Sequence, residues 1–444
     1  MSDSVQISAS PALESNLRLR LGWSDRSLWH SDFIHKVAQT YVTQVFSLAL
    51  AVVSTIVIAR TLGPTGRGLY AAAVALGMLG VQFGNLGLNA ANTYHLAQEP
   101  ALLRPVLGNT LFASIGIGGF GGIAVWTFFQ LFPQYTIVPG PLLLIGLLWI
   151  PVALTCMLCQ SMLVALHKVG EYNLIELANR GTTLLLVGLV ILLGTVNPQR
   201  MLLAALSGQM VGAILSYSAI ARGFPGLPQP SMRVLREHLR VGFKAYLIMF
   251  FSFMVLKADT LLVKWILGAE QTGYYSVAAS MADYVLLLPT TIGMILFPKL
   301  SAMRDAADKL RRAKYAAWGT ALCLLPLLLI AAALAHYAVK LLFGRAFLPA
   351  CDAFIWLVPG IFSLGIEIVL VQFLNSIGYP TIVIWGWLLS CVANIALNIY
   401  IIPRMGIVGA SAVSSFTYTL TLIFVVMVVR FHWYKLSEVT EHIG

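Results

Sequence analysis

The feature that most restricts the folds open to this chain is a succession of twelve apolar runs, each about 20 residues long. Hydrocarbon offers no water to backbone N–H and C=O groups, so a run of that length crosses it as a helix whose hydrogen bonds are internal. The predicted spans are 37–60, 69–92, 106–132, 141–166, 176–196, 200–221, 241–264, 274–298, 315–335, 352–376, 380–402 and 406–430. Only 10% of the 444 residues are charged and 59% are apolar, whereas a soluble domain carries about 25% charged residues. The expected fold class is therefore all-α and polytopic, with the chain embedded in a membrane. The net charge of +11 could suit nucleic acid, but the basic residues fall in short loops between apolar runs, which excludes that reading.

A repeat organises these spans. Leu62-Gly63-Pro-Thr-Gly-Arg-Gly68-Leu-Tyr70-Ala-Ala-Ala73 recurs 205 positions later as Leu267-Gly268-Ala-Glu-Gln-Thr-Gly273-Tyr-Tyr275-Ser-Val-Ala278. A weaker echo, Leu166 and Gly170 against Leu374 and Gly378, lies 208 apart. The two copies predict a duplicated six-helix bundle. Six is even, so both copies start from the same side and are parallel repeats with a cavity between them. The expected division is an N-terminal tail 1–36, an N-lobe 37–222, a linker 223–240, a C-lobe 241–430 and a C-terminal tail 431–444, the linker marked by Gly223-Phe-Pro-Gly-Leu-Pro-Gln-Pro230. With both termini in the cytoplasm, 20 Lys and Arg fall inside and eight outside, so that orientation is expected.

No catalytic apparatus is visible. Gly116-Ile-Gly118-Gly-Phe-Gly121 matches a dinucleotide fingerprint in letters only. It lies inside the third span with no strand before it, and helix packing through small residues accounts for it. Cys156 and Cys159 form a CxxC within an apolar span, without a second pair, and read as packing residues. There is no Walker motif, no HExxH, no GxSxG and no set of metal ligands, so the chain is expected to be a non-enzyme with no cofactor.

What remains is polar groups at membrane depth, where each charge costs at least about 3 kcal/mol on insertion scales and so marks a candidate site. Asp283 lies nine residues into the eighth span, near the midplane, as a transport group or a buried structural acid. Lys257 and Asp259 sit toward the outer end of the seventh span and, two residues apart, project to nearly opposite sides. Arg60 closes the first span, as a cavity group or an interfacial anchor, and Glu367 lies in the inner half of the tenth. Gln44 adds a polar group to the first span. Gln82, Asn85, Asn89 and Asn92 step by three or four along the second, forming one polar stripe that calls for a wet cavity or a polar partner. Asn394 and Asn398, four apart in the eleventh, have the spacing to bond a neighbouring helix.

The Ala59-Arg60-Thr-Leu-Gly-Pro start, the Leu-Gly-x4-Gly-x-Tyr turn in each half and the Leu296-Phe-Pro298 helix end resemble the polysaccharide transporter (Wzx, RfbX-like) branch of the multidrug/oligosaccharidyl-lipid/polysaccharide (MOP) exporter superfamily, over residues 37–430. The resemblance implies two pseudo-symmetric bundles around a V-shaped central cavity lined by helices one, two, seven and eight. It also implies a flippase of the cytoplasmic (inner) membrane that moves polyprenyl-pyrophosphate-linked oligosaccharide units for O-antigen, lipopolysaccharide or exopolysaccharide. Its partners would be membrane lipids and the polysaccharide polymerase and chain-length components. Arg60 matches the family's Arg before Leu-Gly, and Asp259 an acid frequent at that place. On this reading Arg60 and Lys257 face the diphosphate, and Gln44, Gln82, Asn85 and Asn89 meet sugar hydroxyls. Asp259, Asp283 and Glu367 serve coupling or ion pairing, with H⁺, Na⁺ or the membrane potential alone left open. The rival readings are a cation-coupled multidrug antiporter, a membrane glycosyltransferase and a non-transporting scaffold. The first wants a carboxylate-rich pocket, and the second a long outer loop that this chain lacks.

Overall fold

The computed structural model describes residues 26–441 apart from 224, 225, 304 and 379, and among them it contains helices and no strand. Much of the expected N-terminal tail therefore lies outside the described residues. Ten helical runs are long and apolar enough to cross a membrane, and two of them are double. Arg26–Asn85 is divided at Gly63 (φ 65°, ψ −180°) into α1 and α2, and Thr381–Glu441 at Gly406 (φ 61°, ψ −147°) into α11 and α12. Between them run α3 (Leu103–Leu111, continued through π-helical Phe112–Gly119 and Phe120–Leu131), α4 (Gly140–Ala165), α5 (Val169–Leu192) and α6 (Pro198–Ala221). The second half adds α7 (Met232–Leu267), α8 (Ala269–Ser301), α9 (Ala306–Leu342) and α10 (Ala350–Ser376). The described residues thus supply twelve helices of spanning length, as the apolar runs predict.

The turns show why so few loop residues are needed. Gly268 joins α7 to α8 with φ 88° and ψ −175°, nearly the conformation of Gly63, 205 positions earlier. A side chain is disfavoured at positive φ, so a single glycine reverses the chain where a longer loop would otherwise be required. Gly194 and Gly344 supply positive φ near the ends of α5 and α9. All five glycines lie on what is called here the glycine-turn face; the segment between α6 and α7 lies on the opposite, linker face.

Several helices start earlier or run further than hydropathy predicts. The fifth begins at Val169 rather than 176, and α9 spans Ala306–Leu342 rather than 315–335. Polar residues do not stop a helix that leaves the hydrocarbon with a proper cap: Asp305 accepts from the N–H of Ala307 and Asp308 at the start of α9. The second span is the opposite case. It breaks at Leu86 (φ 47°) and Gly87 (φ 84°) and resumes as Leu88–Gln98, which is counted with α2.

The apolar cores separate by half. One cluster takes almost all its residues from α7–α12, while three smaller ones come mainly from α1–α6. Gly118 of α3 packs against Pro151 of α4 at 3.3 Å from its would-be β-carbon, whereas Gly116, Gly119 and Gly121 face open space. Cys156 and Cys159 are free thiols buried in α4.

The halves meet at both faces. On the glycine-turn face a β-carbon on Gly68 would collide with the Ala269 carbonyl, and one on Gly273 with the Pro64 carbonyl. On the linker side a β-carbon on Gly87 would lie 2.6 Å from the Gly242 carbonyl oxygen, and one on Gly242 would strike the Gly87 carbonyl in return. Beyond that seam the His95 and His238 rings stack at 4.4 Å with an interplanar angle of 4°. Asn92 links them to the first half, accepting at Oδ1 3.3 Å from His238 Nδ1 and donating to Thr110 Oγ1 at 3.2 Å.

Candidate functional site

Between the two seams lies a cavity of about 530 Å³, set mostly within the first half and lined from α1, α2, α4, α5 and α6, with Phe253 of α7 on its remaining wall. Helix α5 supplies its polar floor. Glu176, Asn179, Arg180 and Thr183 recur at helical spacing and so share one face. Arg180 Nε donates to Glu176 Oε1 at 2.7 Å, Gln160 of α4 reaches Glu176 Oε2 at 3.4 Å, and Asn179 donates to Gln209 of α6 at 2.6 Å. These bonds hold the amides and the guanidinium in fixed directions in place of a hydration shell.

Arg67 closes the cavity toward the glycine-turn face. Helix α2 begins directly after Gly63, so Arg67 is already helical, and only 7% of it is exposed. Its guanidinium lies 5.3 Å from the centre of the Tyr70 ring, and Nη2 is 3.5 Å from Ser280 Oγ on α8. Its Nε is buried and makes no hydrogen bond among the described residues. Tyr284, one turn beyond Ser280, reaches Thr55 of α1. The second half therefore lines the cavity through Phe253 and touches two of its wall residues, Arg67 through Ser280 and Thr55 through Tyr284. Beside them Lys257 of α7 and Asp283 of α8 form an ion pair with Nζ 2.7 Å and 3.0 Å from the two carboxylate oxygens, both side chains partly accessible.

The residues singled out from sequence divide among several places. Gln82 lines the cavity, and its buried Oε1 has no hydrogen-bond partner among the described residues. Asn85 does not line it; the break in α2 turns this residue into a cap whose Oδ1 accepts from Asn89 N at 3.1 Å. Asn89 stays beside that break, and Asn92 turns to the His95–His238 seam, so the expected single stripe is split three ways. Gln44 is exposed on α1, away from the cavity. Arg60 also lies outside: its guanidinium donates to the Leu341 carbonyl and ties α1 to the end of α9.

Lys257 does not stand free to meet an anion, because Asp283 holds it. Asp259 points the other way, as its two-residue offset requires, into the second half, where only 2% of it is exposed. It accepts from the Tyr275 hydroxyl, from Ser414 Oγ of α12 at 3.1 Å and from Thr260 N at 2.7 Å. Glu367 is buried in α10 with Oε1 unpaired among the described residues. Asn394 donates to Thr417 and receives from Asn398, joining α11 to α12.

Sequence reasoning passed over Arg67, Gln160, Glu176, Asn179, Arg180 and Gln209. Arg67 reads as a loop residue because the turn is shorter than its composition suggests. Arg180 reads as interfacial when the fifth span starts at 176. With the observed start at Val169 it is 11 residues, roughly 16 Å, along the helix. The 176–179–180–183 spacing was the signal available for that face.

The family model described as polysaccharide biosynthesis protein matches residues 57–352, which carry the turns of both halves, the α5 floor and the Lys257–Asp283 pair. The chain belongs to the polysaccharide biosynthesis protein family. A segment of this chain is 26% identical over 171 residues to the probable flippase AglR of Haloferax volcanii, covering 36% of this chain and about a third (35%) of that relative. The fold is shared with transporters of the MOP superfamily. Lipid II flippase MurJ in an inward closed conformation superposes with a TM-score of 0.73 at 15% identity, covering 88% of this chain and 87% of that one. An inward-facing multidrug resistance MATE family transporter gives 0.68 at 14% identity, covering 87% and 96%. The chain is thus a multi-pass membrane protein of transporter fold.

Proposed function

We propose that this protein flips a polyprenyl-pyrophosphate-linked oligosaccharide across the cytoplasmic membrane, with its termini and linker face in the cytoplasm and its glycine-turn face outside. The observation that carries the reading is the cavity itself: two guanidiniums against one carboxylate that is already paired, surrounded by amides and hydroxyls. Moving an isolated charge into hydrocarbon is costed in tens of kcal/mol. Arg67 and Arg180 replace part of the diphosphate's hydration, and Gln82, Gln160, Asn179 and Gln209 replace that of the sugar. The lipid tail stays in the bilayer while the head passes between seams that open in turn.

With the cytoplasm negative, outward movement of about two negative charges is favoured by roughly 4 to 5 kcal/mol per 100 mV, so the potential alone can drive transport. Where an ion is coupled, Asp259 is the proposed acid, and a Na⁺ or H⁺ dependence lost in Asp259→Asn is its test. A multidrug antiporter of the same fold would present unpaired carboxylates to a cationic drug; here the cavity's one acid is bonded to Arg180. The deciding experiment is lipid extraction from cells lacking the protein. Accumulation of a pyrophosphate-linked repeat unit on the cytoplasmic side supports the flippase, and unchanged lipids with heightened sensitivity to cationic compounds supports the antiporter.

A further inference from the structure

A second concavity, of about 540 Å³, runs between α5 and α6 on the outside of the first half and is separate from the cavity described above. Its walls are aliphatic, and three of them are widely exposed: Leu189 at 48%, Leu193 at 64% and Leu203 at 45%. On a helix pair that crosses a membrane, such a surface faces acyl chains, not water. From Leu193 to Leu186 it descends seven residues, roughly 10 Å, from the glycine-turn face toward the bilayer centre. Its mouth differs in chemistry. Thr195 and Arg200 stand there, and the exposed guanidinium makes one hydrogen bond, from Nη1 to the Thr195 carbonyl at 3.4 Å. No ion pair to it is formed among the described residues, and no Asp or Glu occurs in the sequence between Glu176 and Glu237.

We infer that this groove is a binding site for one anionic glycerophospholipid of the leaflet on the glycine-turn face, its phosphodiester on Arg200 and one acyl chain between α5 and α6. The charge count selects the occupant: one cation at the mouth matches a phosphodiester of one negative charge, whereas a diphosphate would call for a second cation that the groove lacks. The inference does not depend on what the central cavity transports.

The test is native mass spectrometry of the full-length protein released from mixed micelles containing phosphatidylglycerol, phosphatidylcholine and a polyprenyl monophosphate in equal amounts. The wild type is expected to retain one phosphatidylglycerol in preference to the other two. Arg200→Gln lowers that retention about fivefold, the effect of one basic residue near an anionic headgroup, and Arg200→Lys restores most of it. Ser207→Trp, which fills the groove from α6, removes the bound lipid while leaving Arg200 in place. Equal retention of phosphatidylcholine, preference for the polyprenyl phosphate, or unchanged phosphatidylglycerol in either Arg200→Gln or Ser207→Trp overturns the assignment.

Discussion

Gly68 and Gly273 occupy the same place in the two halves, and each packs against the carbonyl that opens the other half's second helix, Ala269 for Gly68 and Pro64 for Gly273. The contact is reciprocal because the repeat is: the same 205-residue offset relates both glycines and both carbonyls. It brings α2 and α8 together at backbone distance, which only a residue without a β-carbon permits.

Substituting either glycine by valine is therefore expected to hold this face open. Gly68→Val and Gly273→Val should each reduce surface polysaccharide to background with normal protein in the membrane. A cysteine placed at Ser280 should become several-fold more reactive to an impermeant maleimide added from the glycine-turn side. Wild-type reactivity and polymer in both variants would show that the seam never has to close.

Arg67 and Arg180 are expected to matter more for transport than for folding, since one lies beside cavity space with a free Nε and the other borders it. Arg67→Gln and Arg180→Gln should each cut translocation of the lipid-linked substrate at least about tenfold, the equivalent of roughly 1.4 kcal/mol. Arg60→Gln, outside the cavity, should not. A flipping assay in proteoliposomes at equal protein loading separates the three.

Lys257 and Asp283 form a pair, so their single and double variants should differ. Asp283→Asn and Lys257→Ala are each expected to abolish surface polysaccharide at normal membrane levels. The exchange Lys257→Asp with Asp283→Lys should recover part of the activity where attraction between the two is what counts. If both single variants make wild-type polymer, the pair has no part in transport.

His238 predicts a pH dependence of stability. It lies in α7 ahead of the apolar span, and burial, then the stacked His95 ring, pushes its imidazole down to about 4. The unfolded chain binds a proton on this residue below about pH 6.5 while the folded seam does not, so stability is lost as pH falls from there toward 4 and is flat above it. The slope approaches about 1.4 kcal/mol per pH unit. Thermal unfolding in detergent across that window should show it, and His238→Gln should remove this component. A wild type and variant with parallel pH profiles would mean that the imidazole binds its proton equally well in the folded and unfolded protein.

Twelve crossings, the internal repeat and the glycine turns follow from the order of residues alone, because hydrocarbon admits one kind of backbone and a positive φ favours one residue. The site was legible only in part. Gln82 could be assigned to the cavity because a long amide in an apolar helix needs somewhere wet. Arg180 could not, because its depth depends on where α5 begins, and polar residues at that end hide the start. The pairing of Lys257 with Asp283, 26 residues away on the next helix, and the turning of Asp259 toward Tyr275 and Ser414 depend on how α7 rotates against its neighbours. That rotation is set by the packing of whole helix faces, to which residues from every part of the chain contribute. At the same 205-residue offset the first half has Ser54 where the second has Asp259; Ser54 borders open space and Asp259 is locked in a polar knot. Sequence repetition thus determined two like halves, and tertiary packing decided that the cavity would lie mostly in one of them.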